Sequence, residues 1–178
     1  MSALWLALHF PLLALEAEHG PRPEPRVLVR ANRVLLANPA ARAAGVEAGL
    51  RLGTARALCE TLEVHEARAD QQHQALLREA RQLLALTPQV CPAPPATVLL
   101  EVGGCLKLFG GFKPLLARVD RYRLHCPLTS RLGIGPTPLA AWHLTDPPPL
   151  DAPPEAARFQ AWLADLPLAE LDLDERLR

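Results

Sequence analysis

The stretch Ala96–Gly111, ATVLLEVGGCLKLFGG, decides how the rest of the chain is read. Val98, Leu99 and Leu100 form a short apolar run, and two glycine pairs break up the residues after it. Gly-Gly between apolar runs is a hairpin signal, because glycine accepts the positive φ that primed turns require. The reading is a buried strand, a turn at Gly103-Gly104, a second strand over Cys105–Phe109 and a loop at Gly110-Gly111. Glu101 is the one carboxylate of the stretch and stands at the crest of this hairpin. Such a floor suits a metal-dependent active site, and it suits equally a site that has lost its chemistry.

On the N-terminal side, Arg68–Leu86 carries Leu76, Leu77, Leu83 and Leu84 at helical spacing, which predicts the longest helix. Val90–Pro95 reads as a proline-rich connector. Ala3–Leu8 suits a central buried strand, followed by a helix over Leu12–Glu18 with Pro11 at its first turn. Arg26–Arg30 and Arg33–Ala37 read as strands, and Asn38 caps a short helix that Gly45 closes. Thr54 reads as the cap of another helix and Leu62–His65 as a short strand. These small elements look like an insertion outside the main sheet. On the C-terminal side, Phe112–Tyr122 predicts a helix burying Leu115, Leu116 and Val119, then Leu128–Ile134 a strand and Pro138–Leu144 a short helix. Asp146–Pro154 reads as a linker and Phe159–Leu171 as a further helical element. Strand, helix, hairpin, helix and strand around one apolar sheet make an α+β, ferredoxin-like sandwich.

The 178 residues suffice for one domain with a small insertion. Nineteen prolines predict short elements with sharp boundaries. Lysine plus arginine balance aspartate plus glutamate at 19 each, but unevenly. Between Gly103 and Arg131 the bases Lys107, Lys113, Arg118, Arg121, Arg123 and Arg131 meet the single acid Asp120, whereas from Asp146 onward eight acids face three arginines. The basic segment fits a face that contacts phosphates, and it fits a solvated helix face as well. Cys59, Cys91, Cys105 and Cys126 are too widely spaced for a CxxC pair and read as reduced thiols. Met1–Leu15 lacks the basic start of a secretory signal, and no apolar run reaches the roughly 18 residues that span a membrane.

In this order of elements, Leu4–Glu16, Ala37–Gly49, Val98–Gly111 and Leu132–Ala141 resemble the N-terminal portion of a Y-family translesion DNA polymerase. The resemblance implies a ferredoxin-like polymerase palm over residues 1–25 and 68–155, a small inserted fingers subdomain over 26–67 and the start of a helical thumb over 156–178. A fuller protein would continue into the thumb and a little-finger domain. Polymerase palms hold two magnesium ions with carboxylates. In the family pattern those ligands fall, in this sequence, at Ala7 and His9 on the first strand and at Ala96 and Thr97 on the hairpin strand. None is a carboxylate, and the imidazole of His9 is a poor match for a hard cation. The resemblance therefore implies a degenerate centre with no metal and no cofactor, in which Glu101 is a structural acid paired with a neighbouring base.

Arg42 matches a basic residue of the family's fingers and is read as a remnant of nucleotide-phosphate binding, or as a solvent-facing charge. After Gly133-Ile134-Gly135, where the family carries a second base, this chain has Pro136-Thr137-Pro138. Lys107, Lys113, Arg118 and Arg121 are the candidates for DNA contact. These losses, with VGGCLKLFGG and an LPL turn, resemble the ImuB group, the catalytically inactive branch of the family in the bacterial mutasome. That likeness implies a cytoplasmic, nucleoid-associated scaffold in SOS-induced mutagenesis. Its partners would be primer-template DNA, the sliding clamp, an ImuA (RecA-like) protein and an error-prone replicative-type DNA polymerase, with no membrane. The clamp motif of the group lies beyond residue 178, and Asp165–Leu168 is only superficially like it. Two other readings stay open: an active but divergent Y-family polymerase using Glu101, and an interaction domain without DNA affinity.

Overall fold

A computed structural model describes residues 3–18, 20–143, 153 and 155–164. In chain order its elements are β1 (Trp5–His9), α1 (Leu13–Glu16), β2 (Arg26–Arg30), β3 (Arg33–Ala37), α2 (Pro39–Ala43), α3 (Leu52–Leu58), β4 (Glu63–Glu66), α4 (Ala69–Leu83), β5 (Val90–Ala93), β6 (Thr97–Glu101), α5 (Phe112–His125), β7 (Arg131–Gly135), α6 (Pro138–His143) and α7 (Ala156–Ala164). They build two sheets. The larger, fully antiparallel, has the order β5-β6-β1-β7. The smaller has the order β3-β2-β4, with β2 antiparallel to β3 and parallel to β4. The architecture is α+β.

Alternation along β1 gives the larger sheet two unlike faces. Leu6 and Leu8 join Val98, Leu100, Leu132 and Ile134 on one face, under Leu76 and Leu83 of α4 and Leu115 and Val119 of α5. Each fully buried leucine there contributes about 2 kcal/mol, so this leucine-rich layer is the main core. Phe159 of α7 is buried with it. Ala7 turns to the other face, where it packs with Leu99, Ala141 of α6 and the partly buried Trp5 and Ala93. Gly135 lets α6 settle onto this face, since a Cβ at Gly135 would lie 2.3 Å from the Ala141 amide nitrogen.

The smaller sheet has a core of its own, made of Val27, Val29, Val34, Ala37, Ala41, Val46, Ala55 and Cys59. Asn38 caps α2 as expected, its Oδ1 accepting from the Ala41 amide at 2.9 Å. The same oxygen accepts from the Arg26 amide at 3.0 Å, while Nδ2 donates to the Glu24 carbonyl at 2.8 Å. One side chain thus fixes both the entry to β2 and the start of α2.

The structure corrects five expectations. No strand forms over 105–109; a 3-10 turn at Gly103–Cys105 and further turns stand there instead. The carboxylate of Glu101 accepts from the amides of Gly103 (3.0 Å), Gly104 (3.5 Å) and Leu4 (3.5 Å), so the chain curls instead of returning as a ladder. Glu101 is a structural acid whose partners are these amides, not a base. The hairpin partner of β6 is β5, within the stretch read as a connector. Pro92 misled that reading, yet an edge strand tolerates proline because its outer N–H needs no partner. Thr54 lies inside α3, whose N-cap is Arg51; the Leu52 amide donates to the Asn32 carbonyl and draws the helix start forward. The last strand begins at Arg131, because the Thr129 amide is committed to Glu16. All of the 146–154 stretch except Pro153, the end of the 159–171 element and the LPL turn lie outside the described residues.

Candidate functional site

Strand register brings three of the four degenerate positions together. Ala7 faces Leu99 across β1 and β6, and His9 faces Thr97. On the other flank Ala7 faces Gly133 and His9 faces Arg131 of β7. Directly paired residues share a face of the sheet, so Ala7, His9, Thr97 and Arg131 form one crest. His9 Nδ1 and Thr97 Oγ1 share a hydrogen bond of 3.0 Å. Thr97 is fully buried, and Ala7 is fully buried between Leu99 and Ala141. Ala96 belongs to the opposite, core face, where its carbonyl accepts from the Phe10 amide at 2.8 Å.

Glu101 is four residues along β6 from Thr97, about 13 Å at the rise of a strand. It sits across from Trp5 and does not reach His9. Among the described residues, no three His, Cys, Asp or Glu side chains converge as a set that holds a metal ion. What the crest offers chemically is an imidazole and a hydroxyl bonded to each other, with one guanidinium alongside.

The basic candidates lie elsewhere. Lys113, Arg118 and Arg121 are exposed on α5, and Lys107 is exposed in the loop before it. Because α5 packs on the leucine-rich face through Phe112, Leu115 and Val119, these four bases occupy the side of the sheet away from the crest. Arg42 is exposed on α2, against the smaller sheet. Arg131, counted in the sequence only as part of a basic segment, is the base that stands beside the crest.

Three acids carry no catalytic signal in the sequence, and the structure gives each a structural partner. The buried Glu16 accepts from the Thr129 amide and hydroxyl at 2.7 and 2.6 Å. The buried Glu79 accepts from the Tyr122 hydroxyl and from the Cys126 thiol, the latter at 3.4 Å. Burial pushes both of these donors' pKa values up, with the Glu79 carboxylate adding to the shift. Glu63 is the partly exposed member of a pair with the buried Arg26 at 2.9 Å, and that bond holds its carboxyl below the usual range. Where α1, β4 and α4 meet, a groove of about 290 Å³ is lined by Glu18, Arg26, His65, Arg68, Gln71 and Gln72. Its charges are mixed, so it selects for neither sign.

The sequence profile of the impB/mucB/samB family, IMS, matches residues 13–146. The chain belongs to the impB/mucB/samB family. Its members carry the Y-family polymerase domain and are tied to translesion synthesis. Solved structures of Y-family DNA polymerases share the fold. An insertion ternary complex of Dbh DNA polymerase has a TM-score of 0.75 at 18% identity, covering 98% of this chain and 55% of that one. DinB from Sulfolobus solfataricus gives 0.71 at 20% identity over 98% and 55%. A Y-family polymerase chimera of Dbh and Dpo4 gives 0.73 at 19% over 95% and 54%. A comparison with curated proteins found no match. The chain spans about half the length of these polymerases. In the impB/mucB/samB frame, the larger sheet is the palm and the smaller one the fingers. Among the described residues no helix is long and apolar enough to cross a membrane.

Proposed function

We propose that this impB/mucB/samB chain is the palm-and-fingers part of a non-catalytic, polymerase-like scaffold in SOS-induced translesion synthesis, of the ImuB kind. The observation that carries the reading is the make-up of the crest. Where the family pattern calls for ionised carboxylates, Ala7 is buried among apolar side chains and Thr97 is buried and bonded to His9. A carboxylate at Ala7 would have to ionise in that apolar setting, at a cost of several kcal/mol. Two magnesium ions need several hard oxygen ligands around one point, and alanine, threonine and imidazole supply no such set.

In this reading the synthesis belongs to an error-prone replicative-type DNA polymerase, and the scaffold joins it to the sliding clamp and to an ImuA (RecA-like) partner in the bacterial cytoplasm. Primer-template DNA is held at the crest through phosphate contacts, which need only bases on a suitable face and survive the loss of catalysis. Arg131, opposite His9 in the register, is the base proposed for that contact. Primer extension with magnesium tests the reading. The full-length protein alone extends nothing, and synthesis needs the added partner polymerase. Extension by the clean protein alone would instead establish an active, divergent Y-family polymerase.

A further inference from the structure

The smaller sheet carries a charged feature of its own. β2 and β3 are joined by Ala31 and Asn32, whose φ of 48° and 61° are those of a tight two-residue hairpin turn. That turn sets Arg30 directly opposite Arg33. On its other side Arg33 stands opposite Arg51, fixed by bonds from the Val34 amide to the Leu50 carbonyl (2.9 Å) and from the Leu52 amide to the Asn32 carbonyl (3.0 Å). Directly paired residues share a face. Three arginines from three chain segments therefore form one row, about 10 Å from end to end at Cα. All three are exposed, and among the described residues none pairs with a carboxylate. The Arg33 guanidinium donates to the Gly49 carbonyl at 2.8 Å. Like charges set directly opposite each other destabilise a sheet, so the row is a cost to the fold that packing does not explain.

Alternation places the row. Val27 and Val29 of β2 and Val34 of β3 turn into the core of the fingers, so Arg30 and Arg33 lie on the opposite face with Leu28 and Leu36. On that face Leu28 packs on Leu12 and Leu15 of the palm. The row begins two residues further along β2, about 7 Å from this closed contact. It therefore looks across the opening between fingers and palm.

We propose that this row binds the sugar-phosphate backbone of an unpaired nucleic acid strand lying between fingers and palm. A planar guanidinium takes up anionic oxygens in pairs, and a phosphate supplies them without any apolar anchor. A protein partner would need such an anchor, because the buried centre of a protein interface is poor in charge; here arginine is paired only with arginine. Width decides between one strand and two. The backbones of a duplex flank a major groove about 12 Å wide, more than the step from the row to the closed Leu28 contact. The inference does not rest on the crest being catalytically silent, because the row belongs to the fingers and the crest to the palm.

Fluorescence anisotropy on the full chain tests it with three labelled probes: a single-stranded oligothymidylate, a blunt DNA duplex and a Glu-rich peptide. The single strand binds, and its affinity falls with salt. Arg30→Gln with Arg51→Gln weakens that binding at least about tenfold. It also lowers the slope of log affinity against log salt by about 1.4, at about 0.7 for each phosphate contact of a single strand. The same variant leaves duplex and peptide binding where they were. Arg33 keeps its bond to Gly49, and removing the opposed charges leaves the melting temperature at or above the parent's. Arg56→Gln, at an exposed arginine of α3 outside the row, changes neither affinity nor slope. Strand binding unaltered in the double variant, or absent from the parent, overturns the proposal. A fall in the variant's melting temperature also overturns it, by making the row a structural device. Equal losses for strand and duplex reassign the row to duplex, and loss of peptide binding reassigns it to an acidic protein.

Discussion

Tyr122 of α5 donates its hydroxyl proton to the buried carboxylate of Glu79 on α4, joining the two helices of the palm from within. The Cys126 thiol is its second donor, and the carboxylate helps to keep both donors protonated. Burial raises the Tyr122 pKa from 10.0 and the Cys126 pKa from 9.0. The unfolded chain therefore releases these protons at a lower pH than the folded one. The stability they give is complete below pH 9.0, begins to fall above that value for Cys126 and above 10.0 for Tyr122, and goes on falling until the pH passes the raised values of the folded protein. Urea unfolding across this alkaline range follows the loss. Tyr122→Phe flattens the part that begins near pH 10.0 and costs about 1–3 kcal/mol at neutral pH, because the carboxylate loses a donor.

Glu16 ties α1 to the approach of the last palm strand through both of its oxygens. Glu16→Ala leaves the Thr129 amide and hydroxyl without their acceptor and costs about 3 kcal/mol. Thr129→Val removes only the hydroxyl bond and costs about 1 kcal/mol. Denaturant unfolding of the two variants gives the order; equal costs would mean that the amide bond contributes nothing.

Restoring a carboxylate to the crest does not restore a metal site. Ala7→Asp places a charge between Leu99 and Ala141 and destabilises by about 3 kcal/mol or more. Thermal unfolding with and without magnesium checks this. A variant as stable as the parent, and further stabilised by magnesium, would count against the non-catalytic reading.

Gly135 is required for the approach of α6. Its added Cβ would lie 2.3 Å from the Ala141 nitrogen and 2.7 Å from the Ala140 carbonyl carbon, both backbone atoms that cannot rotate away. Gly135→Ala therefore costs about 1–3 kcal/mol as overpacking. Gly104→Ala meets nothing closer than 3.8 Å and serves as the tolerated control. Melting temperatures of the pair read the difference.

Much of the fold was legible where the signal is local. β2 and β3 coincide with the two runs read as strands, Asn38 with its cap and α4 with the leucine spacing. The losses came where distant residues decide. The glycine pair after Glu101 reads as a hairpin turn until the carboxylate takes the local amides, and Pro92 hides an edge strand whose identity depends on its neighbour. The crest residues were named from their family pattern, but their meeting depends on register, which the sequence does not print. The bases of α5 show the same limit. Helical periodicity tells which side of a helix is buried, not which side of the sheet buries it.

The fingers own a core built from valine, alanine and cysteine, while the palm's is built mainly from leucine. Small side chains bury less area per residue, so the fingers' core contributes less hydrophobic stabilisation per residue than the palm's. The fingers' own core is thus the less strongly held of the two, tied to the palm where Leu12 and Leu15 pack on Leu28, and amide hydrogen exchange is expected to be faster in its strands than in the palm's.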